Sequence, residues 1–212
     1  MKGLLIKDFK LMKGQRNFLL MIIAISIGSA FAMEDLTFLV GYMTALCSMF
    51  TLSSISYDEF ENGNAFLFSL PITRKSYVAE KYTFALIVSG VSWVFSTVIA
   101  TIAGGGNADV IMAALLIFAV LLLFLAIMLP VQLKFGGEKG RIVMFAVIGV
   151  IVLIGFFINE IADLFQIDPM ELMNRLSSMS KGMLTIIAFG IAMFGLLVSY
   201  GVSVAIMKKK EF

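Results

Sequence analysis

The sequence predicts an all-α integral membrane protein with six transmembrane helices and both termini in the cytoplasm. Three observations predict it: 60% apolar and only 14% charged residues with a mean hydropathy of +1.02, six runs long enough to cross a bilayer, and a one-sided placement of Lys and Arg. Soluble domains hold roughly 45–50% apolar and 25% charged residues, so composition alone excludes an ordinary water-soluble fold. With no histidine and one cysteine, Cys47, the chain lacks intrachain disulfides, the usual His/Cys zinc sites and every Ser-His or Cys-His nucleophile pair. Its net charge of +2 is too small to point to nucleic acid.

A helix crosses ~30 Å of hydrocarbon with about 20 residues at 1.5 Å each. Residues 17–33, 36–56, 82–103, 110–131, 142–158 and 183–207 read as such spans. Cytoplasmic segments retain positive charge and translocated ones lack it. Of the 16 Lys and Arg, 14 fall in the N-terminal stretch, the second and fourth loops and the C-terminus, against Arg175 and Lys181 alone on the other side. Acidic residues are equal on the two sides, which leaves the basic asymmetry to set the orientation. The basic start, the apolar run and Ala30-Phe31-Ala32 also resemble a signal peptide with its cleavage site. The sixteen-residue, amphipathic basic region suits a structured element better.

The pieces outside the spans are too short for a catalytic or nucleotide-binding domain, and no GxxxxGK[ST] phosphate loop occurs. Gly136-Gly137-Glu138-Lys139-Gly140 reads as a tight turn. ATP, if used, is therefore handled by another subunit. On a helical wheel, residues 1–16 gather Leu4, Leu5, Phe9, Leu11 and Met12 opposite Lys7, Lys10, Lys13 and Arg16, the pattern of an interfacial helix. Asp8 falls inside the apolar arc, which favours a protein partner over a lipid surface.

Residues 57–70 place Tyr57, Phe60, Asn64, Leu67 and Phe68 within one ~100° arc and read as a cytosolic amphipathic helix, or as a solvated acidic loop. A helix made for lipid carries Lys and Arg on its polar face, whereas this one carries Asp58, Glu59 and Glu61. A protein partner explains those signs better. Gly63 weakens the helix by about 1 kcal/mol, Pro71 ends it, and Thr73 is placed to cap the next one. Across the membrane, Asp168-Pro169-Met170-Glu171 is a helix start. The short amphipathic helix it opens, with Met170, Leu172, Met173, Leu176 and Met179, covers a pore mouth or lies on the leaflet.

No charge falls near the middle of a span, so proton relays, voltage sensing and buried metal sites have no support. Thr44, Cys47, Ser48, Thr51 and Ser54 form a polar stripe on the second span, either the lining of a path or helix-packing glue. Ser89, Ser92 and Ser96 on the third span, and Gly195, Ser199 and Ser203 on the sixth, read as packing faces. Intramembrane proteolysis is excluded, because neither paired membrane aspartates nor a base for a serine is present.

The run Tyr57-Asp58-Glu59, then Ser69-Leu70-Pro71-Ile72-Thr73-Arg74-Lys75, Val78 and Lys81-Tyr82 resembles the YDE…SLP(I/V)(S/T)R(K)…V…KY pattern of ABC-2 type exporter permeases. The likeness covers the whole chain. Its small size and lack of a fused domain are similar to Gram-positive permeases that export phenol-soluble modulins and antimicrobial peptides. The resemblance implies a single transmembrane domain over residues 1–212, with 1–16 as an elbow helix, 57–70 as a coupling helix and 159–182 as an extracellular segment. It further implies that Tyr57, Asp58, Glu59, Phe60, Glu61, Asn64, Leu67, Phe68 and Arg74 engage an ABC ATPase subunit. The second and fifth spans would face a second, identical or paralogous permease and line the path. The chain would bind no cofactor itself, Mg-ATP being held by the ATPase. Two other readings compete with this one: a substrate-capturing membrane subunit of a vitamin or metal importer, and a structural or pore-forming protein without an energy source.

Overall fold

A computed structural model describes residues 2–32, 36–60, 63–105, 108–157, 160 and 178–210. The regular elements among them are all helices: α1 (Lys2–Gly14), α2 (Arg16–Ala32), α3 (Leu36–Glu59), α4 (Gly63–Ser69), α5 (Arg74–Ala103), α6 (Ala108–Phe156) and α7 (Lys181–Lys209). Four stretches of the described chain are long and apolar enough to cross a membrane: Leu36–Glu59, Arg74–Ala103, Asp109–Gly136 and Lys181–Lys209. They stand where six were expected. The first expected span is α2, whose 17 residues reach about 26 Å, short of the ~30 Å of hydrocarbon. The fifth is the part of α6 beyond Gly136 and is not among the four. The expected helix start at 168–171 and most of segment 159–182 lie outside the described residues.

Local chemistry sets the element ends. Thr73 has extended backbone (φ −80°, ψ 144°) and its hydroxyl accepts from the Ser76 amide at 3.1 Å, so α5 begins at Arg74, eight residues before the apolar run. Its 30 residues measure about 45 Å, which carries the first two turns, including Glu80 and Lys81, beyond what the hydrocarbon requires. Ser180 caps α7 in the same way, accepting from the Met183 amide. Within α6, Gly136 takes φ +81° and ψ −173°, a region open essentially only to glycine. That is where the Gly-rich turn was expected, although helical geometry resumes directly after it. A Cβ at Gly136 would also run into the Glu59 carboxylate. Gly136→Ala should therefore cost about 2 kcal/mol or more, lowering the thermal midpoint in detergent by roughly 4–8 °C. Gly149→Ala, whose added methyl meets nothing within 4 Å, should not lower it and should raise it by a few degrees at most, about 1 kcal/mol of helix propensity being gained.

α3 packs along α5 and α6, and α6 along α7, with α5 touching α6 and α7. The largest apolar cluster joins Leu52 and Ile55 of α3, Tyr77 and Val78 of α5, Leu125, Leu129 and Leu133 of α6 and Met207 of α7. Interhelical polar contacts supplement it, as expected where lipid tails are as apolar as leucine. The Tyr82 hydroxyl bridges Ser199 and Ser203 at 2.5 and 2.8 Å. Trp93 donates to the Ala114 carbonyl at 2.9 Å while stacking on Phe118. Gly195 brings Leu123 of α6 close to α7. Meanwhile Val91, Val94, Val98 and Ile102 of α5, and Ile186, Ile191, Phe194 and Leu197 of α7, face outward. Such broad apolar exposure belongs to a protein solvated by lipid.

Candidate functional site

Beneath the segment 57–70 lies a buried ionic cluster assembled from three helices. Lys81 of α5 and Asp8 of α1 are both 0% exposed, and Lys81 Nζ lies 2.5 Å from Asp8 Oδ2 and 2.7 Å from Asp58 Oδ2 at the end of α3. Lys81 also donates to Ser54 Oγ at 2.6 Å, and Ser54 in turn donates to Asp8 Oδ2 at 2.6 Å. The Lys7 ammonium pairs with the other oxygen of Asp58 and sits 3.2 Å from Asp8 Oδ1. Tyr77 completes the group, its phenol donating to Asp58 Oδ2 at 3.0 Å and its ring centroid 5.3 Å from Lys81 Nζ. Glu80 is buried alongside, with Oε2 at 3.7 Å from Lys81 Nζ. Removing an ammonium from water costs several kcal/mol unless partners compensate, and here each of two cations contacts more than one carboxylate.

Asp8 records this environment. Burial by itself raises its carboxyl, but the Lys81 charge and hydrogen bonds from Lys81 and Ser54, with a smaller contribution from Lys7, outweigh burial and hold it below the ordinary carboxylate value. The carboxylate is thus the form that fits, and α1 is fastened to α3 and α5 through it.

This arrangement corrects several expectations. Asp58, placed by the wheel on a partner-facing side, is turned inward. Asp8 serves an internal ion pair rather than an external partner, which is why it falls in the apolar arc. The expected continuous helix over 57–70 is split: α3 ends at Glu59 and α4 starts at Gly63. A Cβ on Gly63 would lie 2.7 Å from the Asp58 carbonyl oxygen, so glycine permits the chain to fold back closely there. The split also breaks the predicted arc. Asn64 and Leu67 are buried and Phe68 half-buried, whereas Tyr57, Phe60, Phe66 and Leu70 are exposed. Glu61 lies outside the described residues.

Glu59 and Arg74 are held by the end of α7. Glu59 pairs with Lys210, and Arg74 Nη1 donates to the carbonyls of Met207 and Lys208 at 3.1 and 2.6 Å. A cation there satisfies orphan carbonyls at a helix C-terminus. The segment thus has an anchored inner side and exposed aromatic side chains, Phe60 at 71% and Phe66 at 72%.

The polar stripe is likewise turned inward. Thr44, Cys47, Ser48, Thr51 and Ser54 are all buried, with Thr44 Oγ1 3.5 Å from Ser96 Oγ of α5 and Ser48 bonded to the Thr44 carbonyl. They lie along the contact between α3 and α5. Cys47 nevertheless borders an apolar groove of about 300 Å³ shared with Phe9, Met12, Leu19 and Ser92.

Of the cluster residues, Lys81 entered the sequence reading only within the family pattern and Lys7 only as a basic-face residue, while Tyr77 and Glu80 escaped it. The signal of an internal pair was Asp8, a charge on an apolar helix face that demands a buried counter-ion. Among the described residues no group of His, Cys, Asp and Glu could hold a metal ion. The cluster's chemistry is that of a fastener.

A family model described as ABC-2 family transporter protein matches residues 3–208. No curated protein and no solved structure matches the chain. The match runs from α1 through α7 and takes in both the ionic cluster and the exposed aromatic side chains, on a multi-pass membrane fold. The chain belongs to the ABC-2 family of transporter proteins, membrane components that work with an ABC ATPase.

Proposed function

We propose that this chain is the permease subunit of an ATP-driven exporter of hydrophobic or amphipathic substrates, peptides or toxins foremost. A second permease, identical or paralogous, and two cytosolic ATPase subunits complete it. In this reading α2 and the far part of α6 supply the remaining two crossings, both termini are cytoplasmic and α1 is the elbow helix. Segment 57–70 is the docking element, its contact surface being the edge formed by Tyr57, Phe60, Phe66 and Leu70.

The observation that carries the reading is the exposure of the Phe60 and Phe66 rings on a segment tied down by a buried ionic cluster. Aromatic side chains dominate binding energy at protein interfaces, and a docking element transmits force only if it is tied to the helices it moves. Asp58 and Lys81 tie it to α5, and Asp8 ties α1 to the same point. ATPase closure would then shift α1, α3 and α5 together. The hydroxyl seam between α3 and α5 would line a path only when those helices part. The apolar character of the spans suits an amphipathic cargo better than a sugar or an ion.

The test is co-expression with the neighbouring genes, gentle detergent extraction and native mass measurement with an ATPase assay. A complex of two permeases and two ATPases is expected. A lone subunit retaining a small ligand, with no ATPase bound, would replace this reading with that of a substrate-capturing importer subunit.

A further inference from the structure

Between α6 and the end of α7 lies a notch of about 460 Å³, within the roughly 300–1,000 Å³ of small-ligand sites. Its floor is Val202, Ala205 and Ile206, and its rim is Lys134, Lys209 and Lys210. The Lys210 ammonium is already held by Glu59 and the Leu133 carbonyl. Lys134, whose ammonium lies 5.0 Å from the Phe135 ring centroid, and Lys209 are exposed and have no acidic partner among the described residues, so two cations stand beside the apolar floor. The floor continues upward without a polar break into the outward face of α7, where Val198 and Leu197 are exposed.

We propose that this notch binds the headgroup of an anionic phospholipid, with the phosphate between Lys134 and Lys209 and the first acyl methylenes on Val202, Ala205 and Ile206. Charge complementarity selects the anion. Apolar continuity selects a lipid over a soluble phosphate, since a hydrated ion gains nothing from an aliphatic floor that runs on along a lipid-facing helix. A bound lipid would bridge α6 and α7 next to the Lys210–Glu59 pair, and so lie against the same end of α3 that carries the docking segment. The proposal rests on α7 crossing the bilayer and not on the cargo or the direction of transport.

The experiment uses the full chain in neutral detergent, supplied with dioleoylphosphatidylglycerol, dioleoylphosphatidylcholine or soluble glycerol 3-phosphate. Retained lipid is counted by native mass spectrometry, alongside the thermal midpoint. Phosphatidylglycerol should be retained roughly tenfold more tightly than phosphatidylcholine and raise the midpoint. Lys134→Gln with Lys209→Gln should erase that preference without changing phosphatidylcholine binding. Ala205→Phe, which fills the floor and spares both lysines, should have the same effect. Lys10→Gln with Lys13→Gln, removing two exposed charges from α1, should preserve the preference. Undiminished phosphatidylglycerol retention by the Lys134/Lys209 variant would overturn the proposal, as would an equal loss in the Lys10/Lys13 variant, which would make the effect one of diffuse charge. Displacement of the lipid by glycerol 3-phosphate at equal concentration would overturn it too, since the site would then belong to a soluble anion.

Discussion

Lys81→Met should destabilise the protein by about 3–5 kcal/mol, the usual consequence of removing one partner from a buried ion pair. The Lys81 side chain is fully buried between Asp8 and Asp58. Without it, two carboxylates compete for Lys7, whose side chain is 33% exposed. The thermal midpoint in detergent should fall by roughly 10 °C, with α1 losing its attachment first because Asp8 is the most deeply buried of its described residues. Adding Asp8→Asn to Lys81→Met should recover part of the loss. The amide oxygen of the substituted side chain would still accept from Ser54 but would no longer strand a charge, so the double variant should be more stable than Lys81→Met alone by about 1 kcal/mol or more. Simple additivity of the two single losses would show that Asp8 and Lys81 are not coupled, and the fastener would have to be abandoned.

What the sequence reveals of this molecule divides along a physical line. Features set by local chemistry are legible: the Thr73 cap, the Gly136 break, the α7 span and the serine faces that meet Tyr82. Features set by what another helix presents are not. Lys81 stands in the sequence as a cytoplasmic cation and as part of a family pattern, and its partners show in neither, because an orientation rule sums charges without regard to what they pair with. Asp58 reads as partner-facing for a similar reason: a wheel assumes an uninterrupted helix, and the close approach at Gly63 interrupts it. Thr44, Cys47, Ser48 and Thr51 illustrate the remaining ambiguity. Small polar residues suit a pore and a packing seam equally, and their spacing along α3 says nothing of which helix they meet. Asp8 is the instructive case, since its conflict with the apolar arc is visible in the sequence and its resolution requires Ser54 and Lys81, 46 and 73 positions away.

The second large effect concerns the exposed edge, where Phe60→Glu combined with Phe66→Glu should abolish ATPase binding while leaving the permease folded. Both rings project from the surface, so their loss should change stability by no more than about 0.5 kcal/mol. An aromatic anchor at an interface centre is worth about 2 kcal/mol or more, so affinity for the ATPase should fall at least ~30-fold. Transport would be lost at unchanged membrane abundance and an unchanged thermal midpoint. Leu67→Glu is the necessary contrast: Leu67 is buried in the main core, so a carboxylate there should unfold the segment, and loss of transport would then say nothing about docking. Separating the two outcomes is what makes the edge testable, because an uncoupled permease and a misfolded one are alike in a transport assay and differ in the thermal midpoint. If the Phe60/Phe66 variant still binds ATPase and exports, the docking surface lies elsewhere, and the exposed basic face of α1 around Lys10 and Lys13 becomes the next surface to test, since it is fastened to the same buried cluster and would move the same helices.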